Sequence, residues 1–148
     1  MKLIAIAAGL CLAATAVTSS AQQLKPERQI KLRQSGMTLI GYNFGSLAAM
    51  AEEKKPYNKD EAGRNADFVA MLCEFPRNFF GEGTDQGDTK AKPEIWKNRA
   101  DFDGKMDKMI QEAKKLPQAA RVDLAALKKA VGDTGAACKA CHDDYRAK

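Results

Sequence analysis

Residues 26–51 read PERQIKLRQSGMTLIGYNFGSLAAMA, and the spacing within this stretch decides the fold class. Ile30, Arg33, Met37, Ile40, Phe44, Leu47 and Ala51 follow one another by alternating steps of three and four. Side chains at those steps line one face of an α-helix. Pro26 suits a first helical turn, where its missing N–H costs nothing, and Glu27 is favourable at the positive end of the helix. Gly36, Gly41 and Gly45 weaken the helix locally but permit close approach of a neighbour.

Working outward, Pro56 interrupts the pattern and a second helix is expected from Lys59 or Asp60 to a point before Pro76. Ala62, Ala66, Val69 and Cys73 share its inner face, with Phe68 and Leu72 beside them. Residues 76–92 hold Gly81, Gly83, Gly87 and several polar side chains, which reads as one long loop. Pro93 restarts a helix with Ile95, Arg99, Phe102, Met106, Met109, Ala113 and Leu116 in register, and Pro117 either closes it or begins the next turn. A fourth helix is expected from about Asp123 to Tyr145 or Arg146, its inner side marked by Leu124, Leu127, Val131, Cys138 and Tyr145. Strand-like alternation and internal repeats are absent from the sequence. The expectation is all-α: an antiparallel up-down-up-down four-helix bundle with small crossing angles.

The segment before Pro26 reads differently. Met1-Lys2 is a short positive start, residues 3–17 are almost unbroken apolar sequence, and Ser19 and Ala21 occupy the small-residue positions of a cleavage site. That is the pattern of a signal peptide over 1–21, cleaved to leave a single domain over 22–148. The apolar run is shorter than the ~20 residues that span a bilayer. The expectation is therefore export to the periplasm without membrane insertion. The net charge of +5, of which the leader carries one through Lys2, is mild and unclustered, and gives no case for nucleic acid. With 45% hydrophobic and 29% charged residues, disorder is excluded. Of four cysteines, Cys11 leaves with the leader, and an odd three in an oxidising compartment do not form a pure disulfide framework.

Two of those three lie in Cys138-Lys139-Ala140-Cys141-His142, a C-x-x-C-H run and the attachment signal of c-type haem. Residues three apart on a helix share a face, so both thiols reach the two vinyl groups on one side of the porphyrin. His142, next in sequence, can turn its imidazole under the ring as the axial iron ligand. One covalent haem c per chain follows. A thioredoxin-like dithiol needs a βαβ context that this sequence lacks. A zinc site of Cys73, Cys138, Cys141 and His142 would need awkward geometry at the adjacent pair and has no second C-x-x-C. Cys73 then reads as a buried thiol.

The motif lies at the end of the last helix, not near the start of the chain. In this the sequence resembles the cytochrome c′ family, the class II cytochromes c, over nearly the whole of 22–148. The matching pieces are Arg33-Gln34-Ser35, Lys55-Pro56-Tyr57, Phe80-Gly81 with Gly83-Thr84, Pro93-Glu94-Ile95-Trp96, and Gly135 followed by residues 138–146. The resemblance implies the same four-helix bundle, and it places the distal residue at Met37, four after Arg33. In cytochromes c′ that place is filled by a non-coordinating, mostly bulky side chain, leaving a five-coordinate high-spin iron. In low-spin members of the class a methionine there binds iron. The resemblance also sets Arg146, one turn after His142, beside the proximal pocket. Arg33 is a cation on an apolar stripe and needs a partner. A haem propionate is the natural one, the other reading being an exposed arginine at the bundle edge. Trp96 covers haem or packs the third helix.

An open, apolar distal face admits NO and CO and offers no hydrogen bond to dioxygen. NO binding or protection is therefore the expected role, with electron transfer to an unidentified redox partner also possible. The alternative is a low-spin electron-transfer cytochrome with Met37 as sixth ligand. No acid/base pair is visible by spacing and the one histidine is committed, so an enzyme is not expected. Leu32 and Leu39 on the first helix, and Phe68 and Leu72 on the second, exceed what one buried face requires. With Gly36, Gly45 and Ala48 nearby, they suggest a homodimer through these two helices, as the resemblance also implies. The bland reading is packing inside the monomer.

Overall fold

A computed structural model describes residues 24–148; the leader expected over 1–21 lies outside them. Among the described residues there are six α-helices: α1 Pro26–Ala51, α2 Lys59–Leu72, α3 Glu94–Lys97, α4 Arg99–Ala113, α5 Leu116–Val122 and α6 Leu124–Tyr145. The long ones, α1, α2, α4 and α6, form the four-helix bundle. α1 packs on α2 and α6, and α4 on α6.

The helix ends follow from local chemistry. Asn58 caps α2 by accepting the Glu61 N–H at 2.9 Å, and Asp123 caps α6 by accepting the Ala126 N–H at 2.8 Å. Asp60 and Glu61 add favourable charge in the first turn of α2. Two expectations need correction. The third stretch is not one helix: Asn98, at φ −118° and ψ 49°, breaks it into α3 and α4, and α5 begins at Leu116 with Pro117 in its first turn. The loop over 76–92 also contains a 3-10 turn at Pro76–Phe79.

Most apolar positions of the stripes read from the sequence lie in the core, while Arg99 is exposed and Met37, Phe44, Ala51 and Leu124 are half-buried. Leu47, Met50, Val69, Phe102, Met106, Leu116 and Leu127 are fully buried. Each such side chain stabilises the fold by roughly 1.5–3 kcal/mol relative to exposure. Cys73 is buried among them as a free thiol, and burial pushes its pKa up to about 12. Gly36 allows α1 to lie against the 3-10 turn, since a Cβ there would stand 3.0 Å from the Phe75 ring. Gly41 and Gly45 have no such neighbour, so close packing within the chain does not explain them. Leu39 and Phe68 are exposed, joined by Tyr42 and Met71, whereas Leu32 and Leu72 are half-buried.

Candidate functional site

A cavity of about 720 Å³ opens between α1, α4, α6 and the loop before α3, within the range of small-molecule and cofactor sites. Its lining brings together all six residues singled out from the sequence: Arg33, Met37, Cys138, Cys141, His142 and Arg146. The apolar part of the wall comes from Phe80, Ile95, Phe102, Met106 and Met109.

One wall is α6. Cys138, Cys141, His142 and Arg146 all come from its last turns and the residue that ends it. Burial raises the pKa of Cys138 and takes Cys141 up to about 11, with Cys138 adding to the latter. Both are therefore protonated thiols at neutral pH, the form that adds as S–H across a vinyl group. His142 is exposed at the rim, yet the wall behind it partly desolvates the imidazole. That, with the charge of Arg146, lowers its pKa below the usual 6.5, so the ring is neutral and able to bind a metal. Tyr145 is buried beneath the cavity. Its ring packs edge-on against Phe102 and its hydroxyl donates to Asp101 Oδ2 at 2.5 Å.

The facing wall is α1 with residues 79–91. Met37 is half-buried and turned to the cavity one helical turn beyond Arg33. Arg33 is 4% exposed, and burial lowers its pKa to about 10, which leaves it charged. Its Nη1 donates to Phe79 O at 3.0 Å and Thr84 Oγ1 at 2.8 Å; its Nη2 donates to Thr84 O at 2.6 Å and Thr89 Oγ1 at 2.7 Å. The guanidinium also lies over the Phe80 ring, 4.6 Å from its centroid. A cation on this stripe needs partners, and the loop supplies several of them. All four Nη protons are taken by protein, so Arg33 ties α1 to the loop, while its Nε–H has no protein acceptor among the described residues. Gln34 Nε2, donating to Asp88 O at 2.8 Å, adds a second tie.

The loop is fastened to the opposite wall too. Ala91 pairs with Arg146 in a single antiparallel bridge: Lys92 N donates to Tyr145 O at 3.0 Å and Ala147 N to Lys90 O at 2.8 Å. Gly87, at φ +88°, gives the loop the left-handed turn that precedes this strap. Trp96 is not on the cavity wall; its Nε1 donates to Gly81 O at 3.0 Å, so it packs the short α3. Thr89, Lys90 and Ala91 went unnoticed in the sequence because a loop carries no periodicity. Their place follows only from the strap.

A helical bundle whose last helix presents two thiols three apart and a neutral histidine to a cavity of this size is a c-type haem-binding bundle. The residues fit the group: thiols for the vinyls, an imidazole for iron, an apolar wall for the macrocycle. The cytochrome c′ family profile matches residues 28–146. Cytochrome c′ of Rubrivivax gelatinosus is 44% identical over 126 residues, covering 84% of this chain and 98% of the relative. A crystal structure of cytochrome c′ from that organism superposes with a TM-score of 0.81 at 43% identity, over 85% of this chain and 100% of that one. A nitric oxide complex of a single-substitution variant of cytochrome c prime from Alcaligenes xylosoxidans superposes with a TM-score of 0.79 at 39% identity, over 86% and 99%. The chain belongs to the cytochrome c′ family, and its cofactor is covalent c-type haem.

Proposed function

We propose that this protein is a periplasmic, non-enzymatic haem protein whose iron is five-coordinate and high-spin and binds NO and CO, serving NO binding or protection. The observation that carries this reading is the pairing of walls. His142, the only histidine in the chain, stands on one side. The facing wall turns Met37 to the cavity, with Arg33, Gln34, Thr38, Thr89 and Lys90 also in the lining, and carries no second imidazole. When bound, the haem supplies an iron centre that takes a diatomic ligand. Cys138 and Cys141 anchor it through thioethers, His142 holds the proximal side, and Met37 crowds the distal side without ligating. Arg146 covers the proximal pocket. The NO complex of the related bundle supports the choice of gas. No helix among the described residues is long and apolar enough to cross a membrane; cleavage after residue 21 and a domain over 22–148 are proposed from the sequence pattern of the leader.

The test is the electronic spectrum of the ferric and ferrous protein, with and without NO. High-spin features that convert on adding NO are expected. Low-spin features with a methionine-to-iron charge-transfer band would overturn the five-coordinate state and make the protein an electron carrier with Met37 as sixth ligand.

The outer faces of α1 and α2 support a homodimer. Leu39, Tyr42, Phe68 and Met71 are exposed beside Gly41 and Gly45, whose Cα positions are open. A two-fold contact would place the same patch on both subunits. Leu39→Glu should dissociate it without bleaching the haem. Sedimentation giving the monomer mass for the unsubstituted protein at micromolar concentration would reject it.

A further inference from the structure

The chain has three tyrosines, and their hydroxyls meet different surroundings. Tyr42 stands 79% exposed on α1. Tyr57 donates to the Ala120 carbonyl at 2.8 Å, an oxygen too weakly basic to keep a proton. Of the three, only Tyr145 lines the haem cavity, and its hydroxyl donates at 2.5 Å to the carboxylate of Asp101, which can keep one. The Tyr145 ring is buried and fixed edge-on against Phe102, with 5.4 Å between centroids. Asp101 lies in the first turn of α4, its carboxylate exposed and 3.9 Å from Lys105 Nζ. One end of the pair therefore faces the cavity and the other reaches solvent. Trp96, the other easily oxidised ring nearby, is off the cavity wall, and its Nε1 donates to a carbonyl.

We propose that Tyr145 is an oxidisable site: hydrogen peroxide reduced at the haem draws one electron from the Tyr145 phenol as the phenolic proton moves to Asp101. This rests on the reading of an open iron position above. A phenol that loses an electron becomes a strong acid, so the loss is steeply uphill unless a base takes the proton in the same step. Such a base must already stand within hydrogen-bond reach, and a short O–H···O⁻ contact is of the strong, charge-assisted kind. The step balances in the ferrous protein. Peroxide gains two electrons, and two protons from solvent, and leaves as two waters. One electron comes from ferrous iron, which ends ferric. The other comes from Tyr145, whose O–H bond breaks to leave a neutral tyrosyl radical with the proton on Asp101 Oδ2. Tyr42 and Tyr57 have no such outlet: one is on the outer face of α1 and the other is bonded to a carbonyl.

The experiment mixes the ferrous, haem-loaded full protein with equimolar hydrogen peroxide and freezes it for electron paramagnetic resonance. A tyrosyl radical is expected beside ferric haem, its hyperfine splitting collapsing in protein grown on ring-deuterated tyrosine. Tyr145→Phe, which keeps the ring and removes the hydroxyl, should abolish the signal. Asp101→Asn, which still accepts a hydrogen bond but takes no proton, should cut its yield about tenfold. Ferric haem formed without a tyrosyl radical, or a radical that survives Tyr145→Phe, would overturn the proposal. An undiminished radical in Asp101→Asn would remove Asp101 as the proton acceptor. Should Tyr145→Phe fail to load haem, a protein carrying both Tyr42→Phe and Tyr57→Phe decides the matter: Tyr145 is then its one tyrosine, and loss of the signal there overturns the assignment. Ferrous haem that peroxide leaves unconverted would overturn the open iron position beneath the proposal, an outcome distinct from ferric conversion without a radical.

Discussion

The two walls of the cavity are built in opposite ways. The α6 wall takes Cys138, Cys141, His142 and Arg146 from nine consecutive residues, and their relative placement is a property of one helix. The α1 wall is assembled from a distance: Arg33 holds Phe79, Thr84 and Thr89, which are 46, 51 and 56 residues away. The first wall is chemistry written into local sequence. The second is chemistry that exists only once the chain has folded. Changes to the first should therefore alter the iron and spare the fold, and changes to the second should do the reverse.

The largest expected effect lies on the local wall. His142→Ala removes the axial ligand while Cys138 and Cys141 still attach the porphyrin. The iron spectrum should change completely, with helical circular dichroism retained. An unchanged native spectrum would remove His142 from the site. Arg33→Met tests the other wall. It leaves the Phe79 and Thr84 carbonyls and the Thr89 hydroxyl without their donor, and should cost about 3 kcal/mol of folding stability. Denaturant unfolding measures it, and the covalent haem should still be present by mass. A loss under about 0.5 kcal/mol, the scale of an ordinary surface change, would show that the clamp is not what holds the loop.

That contrast sets what could be read from the sequence. The four bundle segments were legible because apolar side chains recur with the helical period, and α1 and α2 match their expected bounds. The proposed thioether and axial residues, Cys138, Cys141 and His142, stood out because their spacing is local. The break at Asn98 was not legible, because Ile95, Phe102 and Met106 keep one register across it. The loop partners of Arg33 were not, because nothing in the spacing of residues 79–89 marks a hydroxyl or carbonyl as turned towards α1.

Two smaller effects sharpen the comparison. Met37 is the one residue of the distal wall whose role depends on iron. Met37→Ala should tighten CO binding by about tenfold, equivalent to about 1.4 kcal/mol of relieved crowding, with the resting spin state kept. CO titration followed by absorption checks this, and a switch from low to high spin on substitution would instead identify Met37 as a ligand. Glu112 belongs to neither wall. It is buried on α4 and held at a pKa of about 2 by hydrogen bonds from Lys108 and Lys115. A depressed carboxylate stabilises the fold above its unfolded pKa of about 4.5, and that contribution fades as pH falls through the folded value. Glu112→Gln should therefore melt slightly lower than the parent at pH 7, with the difference closing between about pH 4.5 and 2. A difference independent of pH would mean that packing, not charge, holds this side chain.

The long reach of the Arg33 clamp also bears on the order in which the molecule forms. Joining groups about 50 residues apart carries a loop-closure cost that local helix formation does not, so such contacts are made late. α6 forms within its own length, capped by Asp123 and supported by the Lys129–Asp133 and Lys139–Asp143 pairs four residues apart. A folding chain thus displays its thiols before the strap that will shield them has closed. This interval leaves the macrocycle a side entrance to the bundle. Pulsed hydrogen-exchange labelling during refolding should find amides of α6 protected ahead of those of residues 84–92, and the opposite order would mean that the entrance shuts first.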